Sequence, residues 1–351
     1  MGDTDLVKAV ADLRSSGINS LSEISRRLEI PHSTLKRRVT KLGLYVPDAT
    51  SKGSWTSQDF IEYEKPAEPV EITAEELLEQ RAKQFLRKKK KDEAYSRQTV
   101  KVNLDGPIGI CHFGDCHLDN AGTNIPLVQE HISIVNSTEG MMAATVGDTT
   151  DNWIGSLKRL YAESHTTEEE AWILAEWFFN ACPWLYIIGG NHDCWSGAQD
   201  PLKWITKHAN LPYQPSSVIL SLKFPNGRTA SIDARHQFPG HSMWNTAHGA
   251  GKALQMGEWS DIAICGHKHV SGRMVLKAPD GRICHAIQLA SYKEFDSYAK
   301  EKGFRDQNIS PAVVTVIDPY ADRTTNFITV FEDVAEGAEF LTYKRSKYLN
   351  G

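Results

Sequence analysis

Between residues 3 and 44 the apolar positions recur at helical spacing. Leu6, Val10 and Leu13 predict a first helix that stops at Gly17. Ser20-Leu21-Ser22-Glu23 reads as a capping box, in which the Ser20 and Glu23 side chains satisfy each other's backbone donors. Ile24 and Leu28 continue the apolar face of this second helix. After Pro31, Ser33 is placed to cap a third helix, with Leu35, Val39 and Leu42 inward and Lys36, Arg37, Arg38 and Lys41 outward. Helix, turn and basic helix predict a small all-α helix-turn-helix domain over residues 1–46. Residues 45–71 are rich in Pro, Ser, Glu and Lys without periodicity, the composition of a linker. Residues 72–96 return to helical patterning, acidic at the start (Glu75, Glu76) and basic at the end (Arg87 to Lys91), as the helix dipole favours. Residues 47–98 are therefore expected to be a linker and a basic helix.

Residues 99–351 change to short apolar runs alternating with helical stretches, the pattern of an α/β domain. Pro107–Phe113, Met141–Val146, Trp184–Ile188, Ala230–Ala234 and Ile262–Cys265 read as strands. Asn226-Gly227 and Asp280-Gly281 signal two hairpins. Ala312–Ile317 and Phe327–Phe331 predict a C-terminal part of strands without helices. Each of the first five strands runs into a polar motif. These are Gly114-Asp115-Cys116-His117, Gly147-Asp148-Thr149-Thr150-Asp151-Asn152, Gly190-Asn191-His192-Asp193, His236 and Gly266-His267-Lys268-His269. Ligand-binding loops gather at the carboxyl ends of strands in open α/β sheets, so five motifs far apart in sequence are placed to converge.

The residue types in these motifs suit divalent metal. Asp115 and His117 are one residue apart and share a face of an extended segment. His267 and His269 repeat the spacing, and a turn there can aim them at two neighbouring ions. Asp148 can bridge through its two carboxylate oxygens, Asn191 offers a neutral oxygen, and His236 offers an imidazole, with His241 as its rival. Two ions about 3.5–4 Å apart activate a water and clamp the attacking and leaving oxygens of a phosphoryl transfer. The leaving alkoxide needs a proton, and His192, beside Asn191, is placed to give it. Asp151 is the candidate for holding the His192 tautomer, with a helix N-cap shared with Asn152 as the alternative. Trp153, Trp195 and Trp244 flank the motifs and read as packing residues, with stacking on a base or sugar as the alternative.

Composition narrows the partners. The chain has 351 residues, 40% of them hydrophobic, and a formal net charge of -5, so contact with nucleic acid must come from local basic patches such as Lys36, Arg37, Arg38 and Lys41. No stretch approaches the ~20 apolar residues of a membrane span. Six cysteines are scattered without a C-x-x-C pair, and no signal peptide is evident, so free thiols in a reducing cytoplasm are expected. Cys116, Cys194 and Cys265 lie beside the motifs and read as small packing residues.

Taken together, the five ordered motifs resemble the calcineurin-like metallophosphoesterase superfamily over roughly residues 105 to 290. The resemblance implies an α/β/β/α sandwich of two sheets and a dinuclear centre of Mn, Fe, Zn, Ni or Mg, with Mn the first expectation. Asp115, His117, Asp148 and His269 would hold one ion, and Asp148, Asn191, His236 and His267 the other. His192 would be the general acid and Asp151 its orienting carboxylate. Arg235-His236-Gln237 resembles the His-Gln of the family's DNA-repair exonuclease branch, and the layout with an N-terminal helix-turn-helix resembles phosphoesterases of phages and prophages. The expected function is nucleic-acid phosphodiester hydrolysis, with DNA the expected substrate, by a metal-bridging hydroxide. The alternative is a phosphoesterase on cyclic or small nucleotides or phosphoproteins, with the N-terminal module as a regulatory DNA-binding or docking domain.

Overall fold

The computed structural model describes residues 1–46, 72–95, 97–151, 166–194, 201–208, 213–295 and 310–350. The chain divides into two compact units, Met1–Gln80 and Arg81–Gly351.

The first unit contains α1 (Asp3–Ser15), α2 (Leu21–Arg27) and α3 (His32–Lys41). Leu6, Val10, Leu21, Ile24, Leu35 and Val39 form its core, as their spacing predicts. Two caps differ from expectation. Ser20 makes no side-chain capping bond, and the Glu23 carboxylate pairs with Arg26 at 2.6 Å and Arg27 at 3.1 Å. The third helix begins at His32 behind Pro31, ahead of Ser33, since Pro31 already fixes the turn. Arg38 turns back to Asp3 at 2.5 Å and to the Met1 carbonyl, so its guanidinium ties α3 to the start of α1. Lys36, Arg37 and Lys41 are exposed. Helix α4 (Ala74–Tyr95) follows, opened by a capping box between Thr73 and Glu76.

The second unit holds two six-stranded mixed sheets. One is built of β12 (Ile328–Phe331), β11 (Ala312–Ile317), β2 (Ile108–Phe113), β3 (Met141–Thr145), β4 (Trp184–Ile188) and β5 (Tyr213–Gln214), in that order. The other runs β1 (Gln98–Lys101), β6 (Ser217–Lys223), β7 (Thr229–Arg235), β8 (Ile262–Cys265), β10 (Ile283–Gln288) and β9 (Gly272–Lys277). Strands β2, β3 and β4 are parallel, as are β7 and β8, so their carboxyl ends point the same way within each sheet. The hairpins at Asn226-Gly227 and Asp280-Gly281 join β6 to β7 and β9 to β10.

Alternation along the strands explains the layers. Ile108, Ile110, Tyr186 and Ile188 of the first sheet meet Leu220, Leu222, Ile232 and Ile264 of the second in a core between the sheets. On the outer face of the first sheet, Phe113, Ala143 and Val314 pack under α5 (Ile125–Ser137), α6 (Glu168–Asn180) and a C-terminal helix α10 (Val334–Asn350). A short turn of helix, α7 (Asn191–Cys194), follows β4, and α8 (Pro201–His208) adds Leu202 and Ile205 to the same outer core. On the outer face of the second sheet, Ala263 and Ala286 pack under α9 (His248–Met256). The result is an α/β/β/α sandwich. Helix α10 corrects the expectation of strands alone at the C-terminus. Its buried positions, Val334, Ala338, Leu341 and Arg345, keep a helical stripe, but Arg345 is buried through carbonyl contacts and Lys344 and Lys347 dilute the apolar signal. Asp333 caps its first turn through the Glu336 amide.

Candidate metal centre

Each motif leaves the carboxyl end of its strand. Asp115 and His117 follow β2, Asp148 follows β3, and Asn191 opens α7 beyond β4. His236 follows β7, and His267 and His269 follow β8. Four of these residues hold left-handed backbone: His117 (φ 44), Asp148 (φ 52), His267 (φ 73) and His269 (φ 52). Such conformations cost energy for non-glycine residues and gather at functional sites. Here they turn the chain sharply as it leaves the sheet, so neighbouring side chains point to one spot. The flanking glycines are forced by space. A Cβ at Gly190 would stand 1.9 Å from Asp148 Oδ1, and one at Gly266 2.3 Å from Asp115 Oδ1.

Three sets of donors converge: Asp115 with His117 and His269; Asp148 with His236 and His267; and His117 with Asp151 and His192. Nε2 of His117 lies 3.1 Å from Nε2 of His269, which lies 3.3 Å from Asp115 Oδ2. Nε2 of His236 lies 3.3 Å from Asp148 Oδ2, 2.9 Å from Asn191 Oδ1 and 3.0 Å from His267 Nδ1. His236 is buried, with Nδ1 fixed on the Val146 carbonyl at 2.8 Å, whereas His241 is exposed. The structure therefore brings His236, and not its rival, into the cluster.

The electrostatics favour cations. Burial works to raise Asp148, but the charge and hydrogen bond of His236, with the His192 and His117 charges, together outweigh it and hold this carboxylate well below the usual range. Burial pushes Asp115 up to about 7 against the pull of His236. Burial alone would lower His117 and His236, yet Asp151 raises the first to about 9 and Asp148 raises the second to about 10. His267 falls to about 4 through burial and the neighbouring His236 charge, and His269 falls for the same reason beside His117. Buried carboxylates here draw protons onto adjacent imidazoles, and divalent ions would displace those protons. Asp115 Oδ1 is buried and receives no hydrogen bond among the described residues, an oxygen whose missing partner a metal would supply. Oxygen and imidazole donors of this kind suit Mn, Fe, Zn, Ni or Mg.

Asp151 departs from its expected part. Its carboxylate lies 2.8 Å from Nδ1 of His117, while its main-chain carbonyl receives Nδ1 of His192. A carboxylate near His192 is legible in sequence; which atom of Asp151 meets which ring is set by the turn after Asp148. Asn152, Trp153 and Trp195, and the side chain of Cys194, lie outside the described residues. Trp244 is 96% exposed and is not a packing residue. Cys116 and Cys265 are buried free thiols, as expected.

Four supporting residues escaped the sequence reading. Asp193 accepts the amides of Gly190 (2.9 Å) and Thr149 (3.0 Å), locking the third motif to the second, and burial pushes it up to about 7. Asp119 accepts the Asp151 amide at 2.7 Å, and Asn120 donates to the Asp151 carboxylate at 2.6 Å. Lys293 approaches the same carboxylate at 3.6 Å. Asp119 and Asn120 were signalled by their place two and three residues after His117, and Asp193 by its place in the third motif; Lys293 had no local signal.

No protein-family model matches the sequence, and no curated protein matches it. Among solved structures the chain is similar to the NAD nucleotidase NadN of Haemophilus influenzae, at 11% identity and a TM-score of 0.36, over 64% of this chain and 49% of that one. It spans about half the length of that protein. It is also similar to the nuclease MPE of Pseudomonas putida, at 12% identity and a TM-score of 0.31, over 63% of this chain and 87% of that one. A third is the calcineurin-like phosphoesterase YfkN from Bacillus subtilis, at 11% identity and a TM-score of 0.29, over 70% of this chain and 99% of that one. The motifs of this chain, in the order read from its sequence, stand where the strands of its two sheets end.

Proposed function

We propose that this protein is a dinuclear-metal-dependent phosphodiesterase acting on nucleic acid, with DNA brought to it by the N-terminal module. The observation that carries the reading is the convergence of Asp115, His117 and His269 beside Asp148, His236 and His267. Asp115, His117, Asp148 and His269 would hold one ion, and Asp148, Asn191, His236 and His267 the other, with Mn the first candidate. When bound, the ions supply Lewis-acid activation of water and charge for the phosphoryl oxygens. The chain's own residues do the rest. Asp151 aims His117 through Nδ1, which leaves Nε2 to face the cluster. The Asp151 carbonyl can only accept, so it fixes one proton of His192 on Nδ1; a proton for the leaving oxygen must then come from Nε2 of the doubly protonated ring, a form that burial disfavours in the free protein. The Asp148 Oδ1 bond to the His192 amide, at 3.0 Å, keeps this ring beside the proposed bridging carboxylate. Lys36, Arg37 and Lys41 are the proposed DNA-binding residues of α3; Arg38, engaged with Asp3, is set aside.

The test is to incubate the purified protein, with and without Mn²⁺, with bis-p-nitrophenyl phosphate, the corresponding monoester, single- and double-stranded DNA, RNA and cyclic dinucleotides. Metal-dependent cleavage of the diester and of DNA is expected. Cleavage of the monoester alone overturns the diesterase reading, and cleavage of cyclic dinucleotides alone moves the substrate to small nucleotides.

A further inference from the structure

Helix α4 spans 22 residues, about 33 Å at 1.5 Å per residue, and every position from Ala74 to Lys91 is exposed. Leu77 apart, its large apolar side chains from Ala74 to Lys91 share one face. Glu75, Leu78, Ala82, Phe85, Leu86 and Lys89 fall within an arc of about 100° around the helix axis. Leu78, Phe85 and Leu86 are 69%, 65% and 63% exposed. A solvated helix gains its stability chiefly from burying such a stripe, and large apolar side chains grouped on one exposed face mark an interaction surface.

Charge identifies what covers it. The stripe carries Glu75 at one end and Lys89 toward the other, where Glu93 of the same helix lies 3.9 Å from the Lys89 ammonium, with the small residue Ala82 midway. Two copies laid antiparallel and crossing at Ala82 set Leu78 of each against Leu86 of the other, and Glu75 of each against Lys89 of the other. A parallel pair would set Glu75 on Glu75 and Lys89 on Lys89, which repels. The pattern is self-complementary under a twofold axis, as an isologous interface requires. We infer that α4 pairs antiparallel with α4 of a second copy of this chain, through Leu78, Ala82, Phe85 and Leu86.

A two-helix interface is small, so the dimer should dissociate on dilution, and sedimentation of the full chain from low to high micromolar concentration measures it. The wild type should pass from monomer to dimer. Leu78→Glu with Phe85→Glu should stay monomeric with unchanged helical circular dichroism and unchanged hydrolysis of an aryl phosphodiester. Glu75→Lys and Lys89→Glu should each weaken the dimer, and the two together should restore it. A wild type that stays monomeric, including one that uses this face to bind anionic vesicles or DNA, overturns the inference. So does a dimer that survives Leu78→Glu with Phe85→Glu, or one indifferent to the single charge reversals.

Discussion

The Asp151 carboxylate faces His117, 2.8 Å from its Nδ1. Asp151 thus serves a proposed ligand with its side chain and the proposed acid His192 with its carbonyl, and the two services can be separated by substitution. Asp151→Asn keeps the carbonyl and weakens the hold on His117. It should lower Mn²⁺ affinity about 10–100-fold, the usual cost of removing a partner behind a ligand. Isothermal titration with Mn²⁺ checks this; unchanged affinity with reduced turnover would return Asp151 to His192.

His192→Ala should leave Mn²⁺ affinity near wild type, because Asn191 and not His192 is the proposed ligand. Turnover of substrates with poor leaving groups should fall roughly 10²–10⁴-fold, and activated aryl esters should suffer less. An equal fall on both, together with loss of metal, would make His192 a ligand.

Asp148→Asn removes the proposed shared carboxylate and should reduce Mn²⁺ affinity by at least about 100-fold, beyond the effect at Asp151. Diester hydrolysis should fall with it. Metal analysis after dialysis, beside kinetics in excess Mn²⁺, checks both.

Acid should destabilise the fold through histidines outside the metal centre. Burial depresses His112 to about 3, and His131 and His285 to about 4. His112 is held neutral between the Tyr186 hydroxyl (2.7 Å) and Thr315 (2.9 Å). In the unfolded chain these rings titrate near 6.5, so below that pH the unfolded state binds more protons and stability drops as pH falls. Each contributes up to about 1.4 kcal/mol per pH unit until its folded value is reached. Urea midpoints should therefore decline from pH 7 to pH 5. His112→Leu should be less stable at pH 7 yet show a shallower decline.

Replacing Lys36, Arg37 and Lys41 with Ala should weaken duplex DNA binding. The salt slope should fall by about one for each phosphate that is no longer neutralised. Aryl diester hydrolysis should be unchanged. Gel shifts at two salt concentrations decide it, and unaltered affinity would make the module a protein dock.

The proposed ligands were legible because each sits where an apolar run stops. A run such as Trp184–Ile188 fixes where the strand ends, and Asn191 follows from that. Local spacing could not reveal Lys293, which reaches Asp151 from a segment more than a hundred residues further along the chain, nor the pairing of the Glu23 carboxylate with Arg26 in place of the Ser20 amide. Helix α10 was hidden for a related reason: Arg345 reads as a solvent charge until the Pro107 carbonyl that receives it is in place. Positions decided by the period of the chain were readable; positions decided by competition between alternative partners were not.

The pairing of β2 with β11 sets a timetable for biosynthesis. Ile110, three residues before the strand hands over to the first motif, is zipped to Thr315. The ribosome makes that partner about 200 residues later, an interval of roughly ten seconds or more at 5–20 residues per second. Until then the edge of β2 is open, and such an edge can pair with another nascent chain. A message truncated before Ala312 would yield every proposed metal ligand and still lack the strand that closes the sheet beneath two of them, so its product should be captured by chaperones or aggregate.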